Sequence, residues 1–145
     1  MRRMIALFAA LLALGACQAH DIYIDKGYVR LAAVKGQPAA AYFTIHGSGK
    51  DNTLLSVSTE YAIRSEMHES MKTGGMSTMK PVDHLALPAD GTLEFKPGGK
   101  HLMLYDVNPE IVPGRTMALT FTFSDGTRLE YPALVIAAGA APPKN

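Results

Sequence analysis

Methionine and histidine are unevenly placed in this chain. Six of its eight methionines lie beyond residue 19, and five of those six fall between Met67 and Met103. Three of the five histidines, His68, His84 and His101, lie in the same window. Methionine is a common gap filler in cores, so a few of them would mean little. Five in 37 residues, interleaved with histidine, ask for another explanation. Thioether sulfur is a soft neutral donor and imidazole a borderline one. Without thiolate or carboxylate, the pair suits a soft monovalent ion such as copper(I) far better than zinc, calcium or magnesium. Neutral ligands also avoid burying uncompensated negative charge around one positive charge.

Spacing indicates how such donors can converge. Alternate residues of a strand share a face, so His101 and Met103 leave a sheet together while Leu102 and Leu104 point into the core. Pro97-Gly98-Gly99 just before them predicts a turn at a sheet end, where loops can bring further ligands. His68 lies near the end of the run 62–69, and Met79 is expected to end the loop that follows. Two strand residues and two from a strand-loop segment can close a four-ligand site. Glu66 and Glu69 flank His68 and are candidates to orient its imidazole, the alternative being simple solvation. Tyr105 is placed to wall the site on the same face. Met67 and Met117 read as core, and His46 and His84 as a strand-end and a loop histidine. Met71-Lys72-Thr73-Gly74-Gly75-Met76 is too polar and Gly-rich for a buried strand and reads as a loop. Its two methionines either capture incoming metal, shield the site or lie idle at the surface.

The elements that must position these residues are strands. No long stretch beyond residue 19 has helical periodicity. Apolar and β-branched runs recur at 22–31, 39–46, 53–59, 62–69, 93–95 and 101–105, separated by Gly, Pro, Asn and Asp, the pattern of an all-β sandwich or barrel. Met117, Leu119, Phe121 and Phe123 alternate with Ala118, Thr120 and Thr122. Ser124-Asp125-Gly126-Thr127 then turns the chain into a last strand over 128–136. The Ala- and Pro-rich segment 137–145 is expected to be a disordered tail. The 145 residues read as one domain, 20–136, with no internal repeat.

Residues 1–19 read as a signal peptide. Arg2 and Arg3 precede an apolar run from Met4 to Leu14 and the small residues Gly15 and Ala16. Leu14-Gly15-Ala16-Cys17 resembles a lipobox, which makes Cys17 a candidate for lipid attachment; the alternative is an ordinary cut after Ala19. Export to the periplasm is expected in either case. Cys17 is the only cysteine, so the domain has no disulfide, thiolate site or blue-copper centre to build. The whole chain carries 14 basic and 13 acidic residues; without Arg2 and Arg3 the balance is 12 against 13, a net charge of −1. No basic block is present, and nucleic acid is not an expected partner. Membrane contact is expected only through the lipid. No nucleophile triad or HExxH pattern points to an enzyme.

The spacing His68, ten residues, Met79, twenty-one residues, His101, one residue, Met103 resembles the metal-binding motif of the periplasmic PCu(A)C copper chaperones. The settings Lys96-Pro97-Gly98-Gly99 before His101-Leu102-Met103-Leu104, and Met79-Lys80-Pro81-Val82, are similar too, and the likeness runs from Tyr28 through Ile136. The resemblance implies a cupredoxin-like Greek-key β-sandwich holding one copper(I) on these four side chains. It also implies delivery toward the CuA centre of cytochrome c oxidase, directly or through a thiol-containing partner. A periplasmic copper buffer or resistance protein with no specific acceptor is the alternative. Some family tails are rich in Met and His and hold additional copper; residues 137–145 contain neither.

Overall fold

The computed structural model describes residues 20–144; the expected signal peptide and Cys17 lie outside the described residues. Ten strands make up the regular structure: β1 (Tyr23–Arg30), β2 (Ala39–His46), β3 (Asn52–Ser58), β4 (Ala62–Thr73), β5 (Met76–Pro81), β6 (Leu85–Leu87), β7 (Thr92–Phe95), β8 (Lys100–Val107), β9 (Thr116–Phe123) and β10 (Arg128–Ile136). They form one hydrogen-bonded sheet in the order β5-β4-β8-β7-β2-β1-β10-β9-β3-β6, with β8 also pairing to β2. Most neighbours are antiparallel, but β1 runs parallel to β10, with Tyr28 opposite Leu134 and Arg30 opposite Ile136.

The sheet folds over on itself around a single core. Phe43 of β2 meets Phe121 of β9 edge-to-face at 4.8 Å, and stacks on Phe95 of β7 at 4.3 Å. These ring contacts tie the two halves of the sheet across the interior, where each buried aromatic contributes large apolar area. The alternation in β9 is realised as expected: Met117, Leu119, Phe121 and Phe123 are buried while Thr120 and Thr122 are not. Asp125 accepts from the Thr127 amide at 2.9 Å in the β9–β10 turn, where Gly126 adopts a φ of +88°.

Two expectations need correction. The segment Met71–Met76 is not a loop, and Met79 does not end one. β4 continues to Thr73, a two-residue turn at Gly74-Gly75 reverses the chain, and β5 returns in register with Ser70 opposite Met79. Both turn glycines have positive φ, +59° and +81°. That pair of signs defines a type I′ turn, whose twist matches that of the strands it joins. A polar strand is stable here because the hairpin projects into solvent, where neither face needs to be apolar.

Three residues of the segment expected to be a disordered tail touch the strands. The Arg30 guanidinium donates to the Ala140 carbonyl at 3.0 Å, and Pro142 and Pro143 line a cleft with Tyr28 and Tyr42.

Candidate metal centre

β8 and β4 carry the site on the sheet face turned away from the core. Leu102 and Leu104 of β8 are fully buried among the core side chains, which fixes the strand's pleat and directs His101, Met103 and Tyr105 to the opposite face. The antiparallel register sets His68 opposite His101, Glu66 opposite Met103 and Arg64 opposite Tyr105. Met67, opposite Leu102, is buried in the core as expected. The β4–β5 register then aligns Met79 with Ser70, two residues along from His68 on the same face. His68 and Met79 therefore arrive on adjacent strands, and Met79 does not come from a loop.

His101 is held by the turn that precedes it. Lys96-Pro97-Gly98-Gly99 closes with the Gly99 amide donating to the Lys96 carbonyl at 3.0 Å, and Gly98 has a φ of +81°. Proline second and a left-handed glycine third make a type II turn. The Gly99 carbonyl then accepts from His101 Nδ1 at 3.0 Å and from the Ser70 amide at 3.1 Å. One backbone oxygen thus ties the imidazole of β8 to the adjacent strand β4. With Nδ1 donating, Nε2 of neutral His101 carries the lone pair. Nε2 faces Met79 Sδ at 3.2 Å, so a nitrogen and a sulfur donor stand side by side.

His68 is held from the other side. Its Nε2 is 3.1 Å from Glu66 Oε2, and the ring centroid lies 5.9 Å from that of His101. With Nε2 donating to Glu66, Nδ1 is left as an acceptor. It is buried and makes no hydrogen bond. A buried polar nitrogen without a partner costs free energy, and a bound cation would remove that cost. Glu66 also pairs with the Arg64 guanidinium, which lies 4.0 Å from the Tyr105 ring centroid. The ladder 64–105, 66–103, 68–101 is thus a connected row from ring to guanidinium to carboxylate to imidazole. Hydrogen bonding to His68 is the main cause that holds the Glu66 carboxyl below its ordinary pKa, with the Arg64 charge acting the same way.

Burial divides the donors. His68 and His101 are 9% and 6% exposed, whereas Met79 is 56% exposed on edge strand β5. Met103 is partly buried, one pleat along from His101 and beside Ala40 of β2. All four predicted donors therefore lie on one face of three neighbouring strands. Among the described residues no group of three or more His, Cys, Asp and Glu side chains is placed to hold a metal ion.

Of the supporting residues, Glu66 takes the orienting role anticipated for it, but Glu69 does not; it pairs with Lys100 Nζ at 3.1 Å. Tyr105 shares the face but supports Arg64. Arg64 and the Gly99 carbonyl were not anticipated. The turn two residues before His101 was the available signal for Gly99, and the alternation Arg64, Glu66, His68 the signal for Arg64. His46 and His84 stay apart from the site: His46 stacks on Tyr23 and bonds Asp25 at 3.1 Å, and His84 is exposed.

The described residues thus form a ten-stranded cupredoxin-like domain with two histidines and two methionines on one exterior face. The chain belongs to the family described as "Putative lipoprotein LpqE-like", which residues 22–135 match. A curated relative, "Putative lipoprotein Lxx21020" of Leifsonia xyli subsp. xyli, is 30% identical over 112 residues, 76% of this chain. The alignment spans 66% of that relative, just under two thirds of its length. The solution structure of CuI-DR1885 from Deinococcus radiodurans superposes with a TM-score of 0.67 at 28% identity, covering 84% of this chain and 83% of that one. The copper-bound PCuAC domain from PmoF2 has a TM-score of 0.67 at 20% identity, covering 82% and 95%, a likeness of fold. The chain thus has the PCuAC fold.

Proposed function

We propose that this protein is an exported copper(I) chaperone that carries one ion per domain on His68, Met79, His101 and Met103. The observation that supports it most is the approach of His101 Nε2 to Met79 Sδ at 3.2 Å, with Nδ1 committed to the Gly99 carbonyl. A lone pair is fixed toward a thioether, and Nδ1 of His68, the register partner of His101, is buried without a hydrogen-bond partner. Two imidazoles and two thioethers are a neutral soft set, suited to copper(I). The relative's lipoprotein name and the copper(I) form of the Deinococcus protein agree with this reading. Cys17 is the proposed point of lipid attachment, and the periplasm the proposed compartment.

Transfer would proceed by ligand exchange without redox change. An acceptor thiolate binds the ion as a thioether leaves, and the stronger thiolate bond drives the ion onward. Met79 is the donor placed to leave first, because it is exposed on an edge strand while both imidazoles are buried and anchored. The acceptor we propose is the CuA centre of cytochrome c oxidase, reached directly or through a thiol-containing partner.

The test is a copper(I) titration of the purified protein against a coloured chelator under reducing conditions, repeated on His101→Ala and Met103→Ala. One tightly held ion, weakened in both variants, is expected; no binding by folded wild type overturns the reading. Loss of oxidase activity without loss of copper tolerance on gene deletion is the expected sign of delivery, and the reverse pattern would favour a buffer.

A further inference from the structure

The β4–β5 hairpin holds two methionines that the four-donor site does not use. Met71 and Met76 are 46% and 71% exposed. Register sets Met71 opposite Thr78, and Thr73 opposite Met76. Directly paired residues share a face and alternate residues repeat it, so Met71, Thr73, Met76 and Thr78 form one patch. Met79, with Ser70 and Ser77, belongs to the other face of the same ribbon. Met71 and Met76 are diagonal neighbours on opposite strands, a separation of roughly 7–8 Å that long side chains span. Each thioether turns on three rotatable bonds, so both sulfurs can approach a common ion.

Core packing does not explain this pair. Every residue of β5 is exposed, and the β4 end from Met71 to Thr73 is exposed as well. An ordinary solvent-facing hairpin would carry polar or charged residues at both positions, as it does at Lys72, Thr73, Ser77, Thr78 and Lys80. The type I′ turn at Gly74-Gly75 fixes the register that makes the two methionines diagonal partners.

We infer that Met71 and Met76 form a second, weaker soft-metal site, a two-thioether station for copper(I) on the opposite face of the hairpin from Met79. Two neutral sulfurs without an imidazole hold the ion less firmly than the four-donor site, which suits a place of entry or exit. Met76 and Met79 lie three residues apart on β5, so an ion leaving one face has the other within the same strand.

Silver(I), a soft monovalent ion with no accessible redox step under these conditions, is the probe. The purified protein, labelled at methionine methyl groups, is titrated and followed by NMR. The first equivalent is expected to move the Met79 and Met103 signals, and the second to move Met71 and Met76 together. Met71→Leu and Met76→Leu should each weaken the second step by at least about tenfold, the scale on which even outer partners of a ligand act. The first step should be unchanged in both. A second equivalent that leaves Met71 and Met76 unmoved, or a second step that survives either substitution, overturns the two-thioether station. Failure of the first equivalent to move Met79 and Met103 would instead refute the four-donor site, so the two readings fail separately.

Discussion

His68 and His101 are direct register partners across β4 and β8, yet opposite devices hold their rings. Their centroids are 5.9 Å apart. A carboxylate from its own strand holds Nε2 of His68, while a backbone carbonyl of the preceding turn holds Nδ1 of His101. Each ring is left with a lone pair on a different nitrogen, and both rings are shielded from solvent. Each imidazole thus has one ring nitrogen tied to the protein and the other left for a metal ion, which binds histidine in its neutral form.

Met79→Leu separates binding from folding. Met79 lies on an exposed strand, so its loss should change unfolding stability by no more than about 0.5 kcal/mol, the range of ordinary surface substitutions. Copper(I) affinity should fall by more than about tenfold, because a direct donor is removed and the His101 lone pair loses its neighbour. Denaturant midpoints and chelator competition on the same preparation check both halves.

Glu66→Gln keeps the shape of the side chain and removes the charge that accepts from His68. Copper(I) affinity should drop by roughly 10–100-fold, typical for loss of a partner that orients a ligating histidine. Glu69→Gln, which breaks only the contact with Lys100, should leave affinity unchanged. Equal losses in the two variants would argue for general electrostatics over orientation.

Leu102→Ala tests the opposite face of β8. Leu102 is completely buried, and truncating such a residue costs about 2–5 kcal/mol through lost burial and the cavity left behind. The thermal midpoint should fall substantially. Met103→Ala, one residue along, should leave that midpoint nearly intact and weaken copper binding.

The β9–β10 turn carries an acid-sensitive element. Hydrogen bonds from Thr127, first its backbone amide, hold the Asp125 carboxyl below its ordinary value of 3.8. A depressed folded-state value means that the contribution is present above pH 3.8 and is lost as pH falls through the lower folded value. Asp125→Asn should therefore remove part of the pH dependence of unfolding in that acid window and leave the neutral and alkaline limbs parallel to wild type. Urea unfolding from about pH 2 to about pH 9 measures it.

Much of this protein was settled by local sequence. Period-two alternation with β-branched and aromatic residues specifies strands, and Leu102 and Leu104 decide which way His101 and Met103 face. Donor chemistry was equally legible, since residue type alone makes a thioether or an imidazole soft and neutral. Only the tertiary structure decided how Met79 reaches His101 and what holds each ring. Hairpin register is non-local: Gly74-Gly75 permits a type I′ turn, but the pairing of β5 to β4 puts Met79 across from Ser70 and separates it from Met71 and Met76. Gly99 becomes a joint because β4 brings the Ser70 amide to its carbonyl, and Arg64 supports Glu66 because β8 brings Tyr105 beneath it. A sequence states which side chains share a strand face; which strands lie side by side, and in what register, depends on burying all their apolar faces in one core.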